Sequence, residues 1–155
     1  MTQHIPRILV VDDEHFIRDL LRDYFSKSDY AVVTAQDGES GIAESRQGRF
    51  DAALVDLKMP DQNGTDVLAA LRVIDPALPV IIMTGYPTVD ASIEALRLGA
   101  VDFIVKPFRL QDLKVRVDRA IRSHSVSRDI EELRSRMAAV EAGMRESRSP
   151  QTFAH

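Results

Sequence analysis

The sequence predicts an α/β domain, a doubly wound sheet of five parallel strands, followed by a long C-terminal helix. Three observations carry the prediction. Five short apolar runs rich in β-branched residues recur at 8–11, 31–35, 52–55, 80–83 and 103–105. They are continuous instead of alternating, as strands covered on both faces by helices are. Segments with helical spacing lie between them, and a chain of 155 residues is too short for a closed eight-unit barrel, which needs about 250. The alternation of strand and helix then fits one open sheet with right-handed crossovers.

Each element follows in order. After the first run, Phe16, Ile17, Leu20, Leu21 and Tyr24 recur at helical spacing and define one apolar face. After the second, Asp37 is the expected N-cap of a helix over 38–48, the segment with the weakest periodicity. Thr65 is expected to cap the third helix, which carries Val67, Leu68, Leu71 and Ile74, and Thr88 the fourth, which carries Val89, Ile93 and Leu96. The last helix is expected from Leu110 to about Arg145, because no Gly or Pro interrupts the chain before Gly143. Within it Val126, Ile130, Leu133, Met137, Val140 and Met144 are separated by 4, 3, 4, 3 and 4 residues, a heptad seam. Either two copies pair along that seam or the helix folds back on its own domain, since the run is shorter than the three to four heptads (about) that define a coiled coil. The expected division is a domain over 1–122, a helical extension over 123–146 and a disordered tail over 147–155.

Composition narrows the function. Apolar residues make up 45% and charged residues 28%, within the range of soluble globular chains. With 20 Lys and Arg against 24 Asp and Glu the formal charge is −4, and no basic stripe points to direct nucleic-acid binding. The absence of cysteine excludes disulfides and thiolate metal sites and fits the cytoplasm. No apolar run is long enough for a signal peptide or a membrane span, so no membrane contact is expected.

In an open α/β sheet ligands bind beyond the C-terminal ends of the strands. There the chain places Asp12, Asp13 and Glu14 after the first run, Asp56 after the third, Thr84 and Gly85 after the fourth, and Lys106 and Pro107 after the fifth. Converging carboxylates repel one another, so such a cluster makes sense around a cation, and hard oxygen ligands suit Mg²⁺. Phosphoryl transfer needs positioning and charge neutralisation, which Mg²⁺, the Lys106 ammonium and the Thr84 hydroxyl together can supply. Asp56, alone at the end of the central strand, is the carboxylate suited to act as nucleophile and form an aspartyl phosphate. Each residue has a plainer reading. Asp13 could cap a helix, Thr84 a turn, and Lys106 could be a solvated charge; it is their register that favours chemistry.

The stretches Ile8-Leu9-Val10-Val11-Asp12-Asp13-Glu14, Val55-Asp56-Leu57-Lys58-Met59-Pro60, Asn63-Gly64, Met83-Thr84-Gly85 and Phe103-Ile104-Val105-Lys106-Pro107-Phe108 lie within residues 8–108 and, in this order, resemble the response-regulator receiver family of two-component signalling. The resemblance implies a flavodoxin-like strand order 2-1-3-4-5. It implies that Asp56 is the phosphoacceptor, that Asp12, Asp13 and Asp56 hold Mg²⁺ with the backbone carbonyl of Lys58, and that Thr84 and Lys106 contact the phosphoryl oxygens. Thr84 and Phe103 fall at the family's switch positions, though a strand Phe usually only packs, and Lys106-Pro107 falls at its cis peptide. The implied partners are a sensor histidine kinase or histidine phosphotransfer protein, and a downstream output protein or an output domain outside this sequence, with a homodimer formed through the C-terminal helix. No enzyme activity is implied beyond the receiver's own Mg²⁺-dependent phosphorylation and dephosphorylation.

Three rivals are weaker. A phosphatase of the haloacid-dehalogenase type would carry a second Asp two residues after its nucleophile, where this chain has Glu14 or Lys58. A nucleotide-binding protein would carry a Gly-rich loop after the first strand, which is absent. A phosphorylation-independent module on the same fold would tolerate loss of the acidic site, which is complete here. The segment 84–89 and the helical tail are also similar to receivers that precede sigma-54 activator ATPases.

Overall fold

The runs of β-branched residues form β1 (Arg7–Val11), β2 (Ala31–Ala35), β3 (Ala52–Asp56), β4 (Val80–Thr84) and β5 (Asp102–Val105) in a computed structural model that describes residues 4–60 and 62–148. All four neighbouring pairs are parallel, and the sheet order is β2-β1-β3-β4-β5, as the resemblance implied. The connecting helices are α1 (His15–Ser26), α2 (Gly38–Gln47), α3 (Gly64–Ile74) and α4 (Val89–Arg97), and α5 (Leu110–Arg148) closes the series. The chain clusters into two compact units that divide between Ile121 and Arg122.

Strand parity sorts the core into two layers. Leu9, Val11, Ala53, Val55, Val80 and Ile82 face one way and pack with Val67, Leu68 and Leu71 of α3 and Ala95 of α4. Ile8, Val10, Leu54, Ile81, Met83 and Ile104 face the other way and pack with Leu21 and Phe25 of α1 and Leu113 and Val117 of α5. Both faces of the central strands are therefore dry, which explains why they read as unbroken apolar runs. A hydrogen bond from the Tyr30 hydroxyl to the Asp118 carboxylate and an ion pair of 2.6 Å between Arg116 and Asp102 tie α5 to the sheet's borders.

Helix starts follow local chemistry. Asp37 caps α2 by accepting from the Ser40 N–H at 2.7 Å, and Thr88 caps α4 by accepting from the Ala91 N–H at 3.0 Å. Thr65 does not cap α3; Asn63 is the N-cap, without a side-chain bond, and Thr65 lies inside the first turn. The reason is Gly64, whose N–H donates to the Leu57 carbonyl at 2.7 Å and so draws the chain into the helix early. A Cβ at Gly64 would collide with the Asp56 carbonyl oxygen and lie 2.6 Å from the Leu57 Cα. Gly99 follows α4 in the left-handed region at φ 102°, where its lack of a side chain lets the helix stop.

One residue of the α1 face and the apolar stripe of α4 are placed differently from expectation. Phe16 begins the α1 stripe yet is 72% exposed, whereas Leu21 is fully buried as expected, Ile17 and Tyr24 pack beside it, and Phe25 joins them. On α4 the stripe Val89, Ile93 and Leu96 is exposed, while the small Ala95 meets the sheet. A close helix–sheet approach needs a small residue there, so the larger side chains are left outside. The last helix runs to Arg148, past the expected end near Arg145, so the first two residues of the tail expected to be disordered over 147–155 are helical, and the rest of that tail lies outside the described residues.

The Gly64 contacts generate a test. Gly64→Ala is expected to destabilise the domain by about 1–3 kcal/mol in urea unfolding, because both clashing groups are backbone. Gly85→Ala, whose added Cβ would meet nothing closer than 4.0 Å, should stay within about 0.5 kcal/mol of the parent.

Candidate functional site

Sheet register builds the site. Val11 pairs with Val55, so Asp12 and Asp56 leave neighbouring strands side by side. Asp56 pairs with Met83, and Thr84 pairs with Val105, which brings Thr84 and Lys106 to the same edge. The backbone is fixed there as well. The Asp12 N–H donates to the Ala35 carbonyl at 3.1 Å, Leu57 N–H to Met83 at 2.8 Å and Lys106 N–H to Thr84 at 2.7 Å. The peptide between Lys106 and Pro107 is cis.

Lys106 joins the acids. Its Nζ lies 2.8 Å from Asp12 Oδ2, 3.4 Å from Asp56 Oδ2 and 3.4 Å from Glu14 Oε1. Asp12 and Thr84 are fully buried and Asp56 is nearly so, with Asp13 the most open of the three aspartates. Asp12 Oδ1 accepts from the Glu14 N–H at 2.9 Å, and Asp56 Oδ1 accepts from the Lys58 N–H at 3.4 Å. Thr84 Oγ1 accepts from the Tyr86 N–H at 3.0 Å, which leaves its own hydroxyl hydrogen available to donate.

Burial, reinforced by the neighbouring Asp12 charge, pushes the Asp56 carboxyl up to about 7, against the pull of Lys106. A hydrogen bond with Asp13 raises it further, and the Lys58 N–H works the other way. Burial alone would lower the Lys106 ammonium, but its bond to Asp12 and the charges of Asp12, Asp56 and Glu14 outweigh that and hold it above its usual 10.5. One oxygen each from Asp12, Asp13 and Asp56 lie within 4.8 Å of one another. Crowded all-oxygen carboxylates, two of them buried and Asp13 open to solvent, with a surplus of negative charge, fit a hard divalent cation such as Mg²⁺. A cavity of about 340 Å³ opens beside Asp13, lined also by Gln36, Gly38, Met59 and Gln62.

The expected residues are thus mostly gathered. Asp12, Asp13, Asp56 and Lys106 form one cluster, Thr84 stands at the adjoining strand end, and Lys58 reaches Asp56 through its N–H. Phe103 lies apart in β5, half-buried against the layer formed with α3 and α4. Three contributions go beyond the roles expected of these residues. Glu14 shares Lys106, Arg18 donates to the Asp12 carbonyl at 2.8 Å, and the Lys58 ammonium stands 4.7 Å over the Tyr86 ring. Only Glu14 carried a signal in the sequence, as the third of three consecutive acids.

The Asp56 shift has a stability consequence. With a native pKa of about 7 against 3.8 when unfolded, Asp56 holds more protons in the native state between those values, so its ionisation destabilises the fold increasingly as pH rises through that window. Without divalent cations, Asp56→Asn is expected to gain roughly 1–3 kcal/mol over the parent at pH 8 and almost nothing near pH 4. Urea unfolding at both pH values measures this, and a pH-independent difference would contradict it.

The chain matches the family model described as "Response regulator receiver domain" over residues 8–118. Among curated proteins it is 36% identical over 129 residues to the regulatory protein AtoC of Escherichia coli (strain K12), covering 83% of this chain and 28% of AtoC. It is 31% identical over 153 residues to the alginate biosynthesis transcriptional regulatory protein AlgB of Pseudomonas syringae pv. tomato, covering 99% of this chain and 34% of AlgB. The chain spans between about a quarter and a half of the length of the curated relatives it matches. Among solved structures, the CheY-like receiver domain protein of Methanospirillum hungatei JF-1 superposes with a TM-score of 0.78 at 30% identity, covering 80% of this chain and 99% of that one. With the matched residues making up most of the sequence and the strand order shared, this chain belongs to the response-regulator receiver family of two-component signalling, in which phosphorylation of an aspartate is the general mechanism.

Proposed function

We propose that this receiver accepts a phosphoryl group on Asp56 from the phosphohistidine of a sensor histidine kinase or a histidine phosphotransfer protein. The observation that carries the reading is the buried Asp56 carboxylate at the end of the central strand, 3.4 Å from Lys106 Nζ and grouped with Asp12 and Asp13. An ionised Asp56 oxygen forms the new P–O bond as the P–N bond to the donor imidazole breaks, and the released imidazole takes a proton from water. Lys106 offsets charge on the phosphoryl oxygens, and the Thr84 hydroxyl donates to one of them. Asp12, Asp13, Asp56 and the Lys58 backbone carbonyl would hold Mg²⁺, which when bound neutralises the charge that gathers on those oxygens. Beyond taking on and losing its own phosphoryl group, the chain acts as a switch and not as an enzyme.

The signal leaves through shape. Thr84 and Phe103 are the switch pair, and the exposed Val89, Ile93 and Leu96 of α4, with Val105 of β5 and Val115 of α5, offer an apolar surface to an output protein or output domain. Residues 1–122 act as the receiver and 123–146 as a helical extension that joins two copies. Among the described residues no helix is long and apolar enough to cross a membrane, and the proposed site of action is the cytoplasm.

Incubation with a small phosphodonor and Mg²⁺ should add one phosphoryl group to the parent and none to Asp56→Asn by intact-mass measurement; equal shifts would refute the assignment. Asp13→Ala should weaken Mg²⁺ binding at least tenfold in a titration, since an open ligand is lost while the fold is kept. In analytical ultracentrifugation the full chain should self-associate and a version ending at Ser123 should remain monomeric.

A further inference from the structure

We infer that the distal part of α5 pairs with a second copy of this chain in parallel and in register, and that Asp129, Arg134, Arg136 and Glu141 impose that arrangement. The inference rests on the self-association proposed above and adds its direction and its cause. Val126, Ile130, Leu133, Met137, Val140 and Met144 form one stripe and are each between 46% and 62% exposed. Large apolar side chains at alternating steps of three and four are the pattern that a second helix buries. A shallow depression on this stripe is walled by Arg136, Met137, Val140 and Glu141, so seam and flanking charges meet on one surface.

The flanking charges distinguish the two ways of pairing. Asp129 and Arg136 each precede a seam residue, Ile130 and Met137, and Arg134 and Glu141 each follow one, Leu133 and Val140. In a parallel pair a preceding residue faces the following residue five positions on in the other copy. Asp129 then faces Arg134 of the second copy and Arg136 faces Glu141, and symmetry doubles both attractive pairs. Every seam residue also meets its own equivalent.

Antiparallel pairing fails on the same residues. If it covers the whole seam, Val126 meets Met144, and both Arg134 and Arg136 come to face their own equivalents, which repel. If it slides by one heptad, Asp129 reaches Arg136, but Val140 is set against Ser123 and Met144 is left outside the seam. The ion pair of 2.9 Å between Arg136 and Glu132 within one helix is exposed at both ends, so Arg136 can turn to Glu141 of the second copy without uncovering a buried charge.

The test uses two full-length variants. Arg134→Asp with Glu141→Arg reverses the following positions, and Asp129→Arg with Arg136→Asp reverses the preceding ones. In sedimentation equilibrium each variant alone should dimerise about tenfold or more weakly than the parent, and an equimolar mixture should recover the parent's affinity. A single Leu133→Cys, introduced into a chain that has no cysteine, should oxidise to a covalent dimer with itself. Variants that each dimerise as tightly as the parent, or a Leu133→Cys that links only when mixed with Met137→Cys, would overturn the parallel arrangement while leaving self-association intact. A parent chain that stays monomeric at high concentration would overturn both.

Discussion

The buried Asp12 and Asp56 carboxylates, held side by side by the β1–β3 register, are the constraint around which the rest of this domain is arranged. Neither can move away from the other, because their strands are paired along their length and dry on both faces. Burial raises the Asp56 carboxyl, the Asp12 charge raises it further, and Lys106, which touches both, pulls it down without cancelling them, so it is pushed up to about 7. The resulting penalty is a few kcal/mol. Among the described residues twelve large side chains, including Phe25, Leu54, Ile81 and Leu113, are fully buried, and each contributes about 1.5–3 kcal/mol, so the two apolar layers easily hold the strained edge in place. A site that stores repulsion is one whose state responds to added positive charge.

Much of this was legible in the sequence for physical reasons. The three central strands, buried on both faces, must be continuously apolar, and all five runs match observed strands to within a residue at each end. Charged residues directly after such runs must lie at the strand ends, so Asp12, Asp56 and Lys106 could be brought together before any distance was known. The resemblance supplied what local pattern could not, the strand order and the cis peptide, since neither follows from periodicity. Close backbone approach was illegible. Gly64 takes its place in the structure from the Asp56 carbonyl and the Leu57 Cα, at and just after the end of β3, and the N-cap therefore falls on Asn63 instead of Thr65.

Burial direction was the other weak point. Helical spacing shows which residues share a face and is silent about which face meets the sheet. Phe16 and the Val89, Ile93 and Leu96 stripe are spaced as core faces are, yet they stay exposed because Phe25 and Ala95 fill the space against the sheet. Such residues are better read as surface available to other molecules than as failed core. The same logic applies to the seam of α5, where a stripe of six apolar residues is exposed.

Anchoring differs between the helices in a way that bears on how the edge could act on the surface. Gly64, Val67, Leu68 and Leu71 are buried in α3, whereas α4 buries only Ala95. Displacing α4 therefore uncovers far less apolar area than displacing α3, and its free-energy cost is correspondingly smaller. The segment that leads into α4 begins at Thr84, whose carbonyl accepts from Lys106 and whose hydroxyl oxygen accepts from Tyr86. If Thr84 turns its hydroxyl toward a group on Asp56, the Tyr86 bond must adjust, and the adjustment falls on 85–88 and then on the least anchored helix. The strain at the edge and the exposed stripe on α4 are thus joined by a short path of named bonds, with the softest element at its far end.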